Sequence, residues 1–277
     1  MRNRLKKLQT KEIHNGVAVE VTDIDITKID KNTAQELYDV LKNRLIVVLK
    51  NQKQCPGSYT KTIWEMSQNI SNWQQLIWDQ YGNEIERFDK FVHPDDYGNN
   101  ELYPVQRVTG EKINNKRTGI FATGTLDWHA NLNGLDRADG VALQGVRHCE
   151  NTSTLFLNTN LALKDLDEKT KEQIKDLYAI YEYRPDVWAK GLPQGQLEYM
   201  MKNAGMYKMW LLQKNVAGVE GLYFYTNNRC DIVTEDKSLK QKLINHLFQD
   251  KYIYEHMWEP GDIVLMDQLL TLHKRGT

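Results

Sequence analysis

Residues 125–134 read TLDWHANLNG and place His129 two positions before Asn131. On a strand, residues two apart project to the same face. A second histidine, His273, ends the apolar stretch WEPGDIVLMDQLLTLH far downstream. Two histidines and one carboxylate can cap a triangular face of a metal ion, leaving three positions open for co-substrate and oxygen. The chain has 7 histidines, and a lone histidine is more often structural or surface than a ligand. His129 and His273 gain weight from the residues around them. Asn131 is the anomaly: its amide oxygen is a weaker donor than a carboxylate and leaves the site one unit more positive. Asp127 and Asp139 are nearby carboxylates that could substitute; Asp127 shares the expected strand face of His129, and Asp139 is harder to place.

Those donors need strands to hold them. Residues 16–26 (GVAVEVTDIDI) alternate apolar and polar, as a half-buried strand does. Residues 32–43 carry Ala34, Leu37, Val40 and Leu41 at helical spacing, and 45–49 (LIVVL) form a short buried strand. A helix is expected over 59–69 and an irregular, polar segment over 78–100. From Tyr103 the pattern turns to short strands: 105–109, 119–123, 140–145, 154–158, 209–213, 222–226, 252–258, 262–266 and 271–273. Helices interrupt them at 166–181, where Asp167 can cap the first turn, at 196–203 and at 236–247. Glu259, Pro260 and Gly261 mark a turn. The order is an α/β N-terminal third followed by many short strands with helical insertions. No repeat or linker divides it, so residues 1–277 read as one domain.

Composition excludes several classes. Hydrophobic residues make up 40% and charged residues 26%, with a net charge of -1. Nothing in that balance points to nucleic acid or an anionic membrane, and the basic run Arg2 to Lys7 is short. No run approaches the ~18 apolar residues of a membrane span. Cys55, Cys149 and Cys230 are few, odd in number and widely spaced, which suits a reducing, cytoplasmic setting. The N-terminus lacks the apolar region of a signal peptide.

Along nearly its whole length the chain resembles the Fe(II)/2-oxoglutarate-dependent dioxygenases of the taurine dioxygenase (TauD/TfdA) type, within the clavaminate synthase-like group. GVAVEVTDID is similar to that family's first strand and turn, and RLIVVLKNQ to its early buried strand. TGTLDWHANLNG resembles its WHxD segment, TSTLFLN its co-substrate strand, and WEPGDIVLMDQLLTLH the segment that supplies the distal histidine. The resemblance implies a mostly β protein with α insertions, folded as a double-stranded β-helix (a distorted jelly roll). It implies iron held by His129 and His273, with Asn131 at the carboxylate position. Thr154 matches the threonine that hydrogen-bonds 2-oxoglutarate. The implied reaction couples decarboxylation of 2-oxoglutarate to succinate and CO2 with oxidation of an unactivated C–H bond in a small polar molecule.

Two departures qualify it. With Asn131, the site is an altered but working oxygenase, a halogenase-like variant whose open position takes an anion, or an inactive, weakly metal-binding protein that keeps a small-molecule pocket. The family also holds the far carboxylate of 2-oxoglutarate with an arginine beyond the distal histidine, where a guanidinium binds bidentately. Here only Lys274, Arg275, Gly276 and Thr277 follow. Arg275 is the candidate, at a different spacing, with Arg147 and Arg229 as alternatives. The ending reads as the loss of the last C-terminal strand. A plain jelly roll without a site requires the two histidines to lie apart. Asp267 reads as an outer-shell or structural group, Trp128 as packing, residues 218–221 (GVEG) as a turn, and 211–225 as core strand. His93 and Arg107 are possible substrate contacts, residues 78–100 a specificity loop. Relatives of this type form dimers or tetramers, so a homo-oligomer is compatible.

Overall fold

The computed structural model describes residues 8–52, 108, 112–113, 116–117, 124–130, 140–146, 148–188, 198, 201–202, 204–224 and 230–276. The chain opens with β1 (Gln9–Ile13), β2 (Ala18–Thr22), the helix Lys31–Arg44 and β3 (Ile46–Leu49). The small strands β4 (Lys112–Ile113) and β5 (Lys116–Arg117) pair only with each other among the described residues. There follow β6 (Gly140–Gln144), β7 (Ser153–Asn158), β8 (Tyr178–Tyr183), β9 (Gly205–Trp210), β10 (Leu212–Lys214), β11 (Glu220–Leu222) and β12 (Cys230–Ile232). Last come β13 (Ile253–Met257), β14 (Ile263–Asp267) and β15 (Thr271–Arg275).

The N-terminal third is not a layer of its own. Its strands form most of a sheet ordered β1-β2-β3-β14-β6, completed by β6 from mid-chain and β14 from near its far end. Only β2 and β3 run parallel in it, because the crossover between them is a helix. That helix starts where the Asp30 carboxylate accepts from Thr33 N–H. It buries Ala34, Leu37 and Leu41, spaced at three and four residues, against Val19, Val47, Leu49, Ile263 and Leu265. Each such leucine stabilises the packing by about 1.5–3 kcal/mol.

A second sheet, β13-β7-β15, faces the first. Val17, Ala18, Ile46, Val48, Val264 and Met266 from one side meet Phe156 and Trp258 from the other. Two sheets closed over an apolar interior are the jelly-roll arrangement expected from the sequence. Alternation along β7 decides the faces: Phe156 points inward, while Leu155 and Leu157 pack outward against a third layer. That layer holds the helix Lys237–Leu247, through Leu239, Leu243 and Leu247, and the sheet β12-β8-β9. The turn before β14 needs Gly261: its φ is +93°, and a Cβ there would sit 2.8 Å from Gln52 O.

Several expectations change. Asp167 does cap a helix, but it spans only Glu168–Ile174, and Tyr178 and Tyr181 lie on β8. Spacings of three and four between Ile174, Leu177, Tyr178 and Tyr181 imitate a helix, yet Ala179 and Tyr181 are buried at period two. The strand expected over 222–226 is β11, ending at Leu222. The strand expected over 209–213 is broken at Leu211, between β9 and β10. The expected strand over 16–26 is confined to β2. The helix at 59–69, the segment 78–100, the strand at 119–123, all of 105–109 but Val108 and most of 196–203 lie outside the described residues.

Candidate metal centre

His129 and His273 lie directly opposite one another in an antiparallel bridge. They exchange both backbone hydrogen bonds: His129 N–H donates to His273 O at 3.0 Å, and His273 N–H to His129 O at 2.9 Å. Residues so paired carry their side chains on the same face, and the two rings stand 4.2 Å apart, centre to centre, tilted by 49°. The two histidines do not lie apart, as a plain jelly roll without a site was expected to require. β15 holds His273 firmly, since its other edge pairs with β7, with His273 opposite Phe156.

Both rings are held neutral. Burial pushes the His129 pKa down, against the smaller effects of the Asp127 carbonyl and charge. Burial, and then the neighbouring His129, push His273 well below the usual imidazole range. A metal needs a neutral imidazole with a free lone pair. His129 Nδ1 lies 2.6 Å from Asp127 O; the carbonyl can only accept, so Nδ1 carries the proton and Nε2 the lone pair. His273 Nδ1 is buried with no hydrogen-bond partner. A fixed tautomer on one ring and an orphaned nitrogen on the other fit a cation between them.

The third ligand position is less complete. Asn131 and Asp139 lie outside the described residues. The Asp127 carboxylate accepts from Trp128 N–H at 2.8 Å through Oδ1 and does not group with the two histidines. Among the described residues no third His, Cys, Asp or Glu joins the pair.

Thr154 and Arg275 face each other across β7 and β15, next to the Phe156–His273 row and on the same side of the sheet. Trp258 Nε1–H donates to Thr154 Oγ1 at 2.9 Å, which leaves the hydroxyl proton for another acceptor. Arg275 Nη1 donates to Gly124 O at 2.7 Å, so part of its fork is occupied. Arg107, Arg147, Arg229 and His93 lie outside the described residues. Asp267 is wholly buried and ties the turn before β15 to the rest of the fold. Its Oδ1 accepts from Leu269 and Leu270 N–H, and its Oδ2 from Lys42 Nζ and Asn215 Nδ2.

Sequence reasoning missed a second polar cluster on β13. The Tyr254 hydroxyl is 2.8 Å from His256 Nδ1, and His256 Nε2 is 3.1 Å from Asp262 Oδ2. That second contact is off the line of a good hydrogen bond, and Nε2 has no other partner. Lys50 Nζ neutralises Asp262. The signal was present: YEHMWEPGD places Tyr254, His256 and Trp258 at period two. Burial, opposed by Asp262, lowers the His256 pKa from 6.5 to about 4. Between those values the unfolded chain binds more protons than the folded one. Stability is therefore expected to fall as pH drops from about 6.5 toward about 4. Denaturant midpoints across that range check it: His256→Gln should flatten the slope, with the remainder due to His129 and His273. An unchanged slope would remove His256 from the account.

Comparison with known proteins bears on the family and the fold. An alpha-ketoglutarate-dependent 2,4-dichlorophenoxyacetate dioxygenase from Burkholderia sp. (strain RASC) is 26% identical over 132 residues, 44% of this chain and 42% of that enzyme. The match thus spans less than half of that relative. Among solved structures, AAD-2 in complex with Mn(II) and N-oxalylglycine has a TM-score of 0.68 at 17% identity, over 98% of this chain and 93% of that one. A taurine dioxygenase from Burkholderia xenovorans has a TM-score of 0.62 at 14% identity, over 98% and 85%. At such identities these structures share the fold. The model of the family described as "Taurine catabolism dioxygenase TauD, TfdA family" matches residues 9–277, and the chain belongs to that family.

Proposed function

We propose that this chain is an Fe(II)- and 2-oxoglutarate-dependent oxygenase acting on a small polar molecule. The observation that supports it best is the His129–His273 pair: two neutral imidazoles, 4.2 Å apart, fixed by a shared backbone bridge. His129 and His273, with the Asn131 amide oxygen, would hold the metal. When bound, the metal supplies the decarboxylation of 2-oxoglutarate to succinate and CO2 and the oxidation of a substrate C–H bond. Thr154, through its free hydroxyl proton, and Arg275 would bind the co-substrate. The protein's own contribution is position and dryness. Asp127 O fixes the His129 tautomer, and Phe156, Trp258, Val264 and Met266 close the interior beside the site to water.

The test is anaerobic addition of Fe(II) and then 2-oxoglutarate, read as the visible metal-to-ligand charge-transfer band of the chelated co-substrate. Its absence under saturating metal overturns the proposal. Asn131→Asp is expected to tighten Fe(II) binding at least about tenfold, since a unit charge ~4 Å from the metal contributes on the order of several kcal/mol at high effective dielectric. Titration calorimetry of the two proteins checks that; equal affinities would remove residue 131 from the ligand set.

A further inference from the structure

The inner face of β13-β7-β15 carries a row of three rings whose order follows from strand register. Tyr254 lies opposite Phe156, and Phe156 lies opposite His273. Both steps have the same geometry, 6.4 Å between ring centres with planes 24° apart. That spacing is within the range of interacting aromatic pairs. Phe156 is fully buried, so no water separates the outer two rings along this line. At the far end, the Tyr254 hydroxyl has an acceptor at 2.8 Å, His256 Nδ1. The imidazole is backed in turn by Asp262 and, beyond it, Lys50. Trp258 closes over the His256 ring at 4.5 Å.

A phenol loses an electron far more readily if its proton can leave in the same step. That needs a base within hydrogen-bond reach. His256 Nδ1 is such a base, and Asp262 beside its ring offsets part of the burial that disfavours the imidazolium. Its Nδ1 must be bare to accept the Tyr254 proton, which places its own proton on Nε2, facing Asp262. Burial, with the Asp262 and Glu20 charges, also holds the phenol above its usual ionisation range, so Tyr254 starts as the neutral phenol.

We propose that Tyr254 is a redox-active tyrosine, giving up one electron through Phe156 toward the His129–His273 face while its proton passes to His256 Nδ1. The balance is one electron and one proton. The phenolic O–H bond breaks and an N–H bond forms on His256. Tyr254 becomes a neutral radical, and a one-electron oxidant, an over-oxidised transition-metal centre at the histidine pair, is reduced by one unit. The imidazolium formed is held by Asp262. A small reductant such as ascorbate or a thiol returns the electron, and His256 returns the proton. The role is to drain an oxidising equivalent when no substrate is present to receive it. That role rests on the oxygenase reading; the tyrosine–histidine unit itself does not.

The experiment has two arms. In the first, the metal-free full chain is oxidised with flash-generated ruthenium(III) tris-bipyridine and examined by electron paramagnetic resonance. A hydrogen-bonded neutral tyrosyl signal is expected, altered in shape by ring-deuterated tyrosine, lost in Tyr254→Phe and slower to form in heavy water. Ring deuteration needs no substitution, so the assignment to tyrosine survives if a variant folds poorly. A tyrosyl signal unchanged in Tyr254→Phe, or no tyrosyl signal, overturns the proposal whatever the metal does. In the second arm the protein with Fe(II) and 2-oxoglutarate meets oxygen without further substrate and is freeze-quenched. The same signal is expected, weakened in Phe156→Leu. Its absence from protein that shows the charge-transfer band overturns the route to His273. Failure of the band itself counts against the oxygenase reading, and the first arm still decides on Tyr254.

Discussion

His273→Ala is expected to abolish the charge-transfer band and to weaken Fe(II) binding by far more than the ~10–100-fold typical of losing an outer-shell partner. The reason is the poverty of the ligand set. In the proposed ligand set His129 and His273 would be the two strong donors, and Asn131, an amide, would bring no charge to offset the loss of either. Stability should change little by comparison. The strand carrying His273 is held by its backbone, through β7 on one side and His129 on the other. Truncation opens a small cavity but also removes a buried Nδ1 that has no hydrogen-bond partner. Those effects oppose each other, so a net change of about 1–2 kcal/mol is the expected size. His129→Ala should repeat the metal result. Calorimetric titration with Fe(II), beside denaturant unfolding of the same samples, separates the two effects. Binding that survives either change would mean the metal sits elsewhere or nowhere.

That pair was legible in the sequence because the segments around both histidines, TGTLDWHANLNG and WEPGDIVLMDQLLTLH, resemble those of a known family; strand periodicity alone would not have singled them out. The structure adds their register, which no local pattern contains: 129 and 273 are opposed only because β15 finds β7 on one edge and the 124–130 segment on the other. The β13 cluster shows the reverse failure. Tyr254, His256 and Trp258 stand at period two in plain view, but nothing local says that their shared face is interior rather than solvent. The helix expected over 166–181 holds over Glu168–Ile174, but its C-terminal part failed for a third reason. Its apolar residues satisfy periods of two and of 3.6 at once, and the tertiary fit of Ala179 and Tyr181 into the core chose the strand. Asp267 was legible as a supporting group, whereas its partners were not. Lys42 lies 225 residues away and Asn215 lies 52 away, and long-range ion pairs leave no trace in a single sequence.

Asp267→Ala follows from those partners and should be the most destabilising change in the chain's described core. Lys42 is 2% exposed and Asp267 0%, and their Nζ–Oδ2 distance is 2.8 Å. Removing one member of such a pair leaves a buried charge uncompensated, which costs about 3–5 kcal/mol. Here it also frees the Leu269 and Leu270 N–H groups and the Asn215 amide that the carboxylate satisfies. That is a large share of the ~5–15 kcal/mol that holds a domain folded. Lys42→Met should cost less, because Asp267 keeps those three donors. Lys42→Met combined with Asp267→Asn should recover part of the loss, since no ion is then left unpaired and the side-chain amide oxygen introduced there can still accept from the backbone. The turn that Asp267 braces delivers β15, and Thr271 Oγ1 donates to Asp267 O at 2.6 Å. Fe(II) affinity should therefore fall with stability in Asp267→Ala, although residue 267 touches no ligand. Denaturant unfolding of the three variants, with metal titration under conditions where each is folded, gives both numbers. A loss below ~1 kcal/mol in Asp267→Ala would show that the buried pair does not brace this turn.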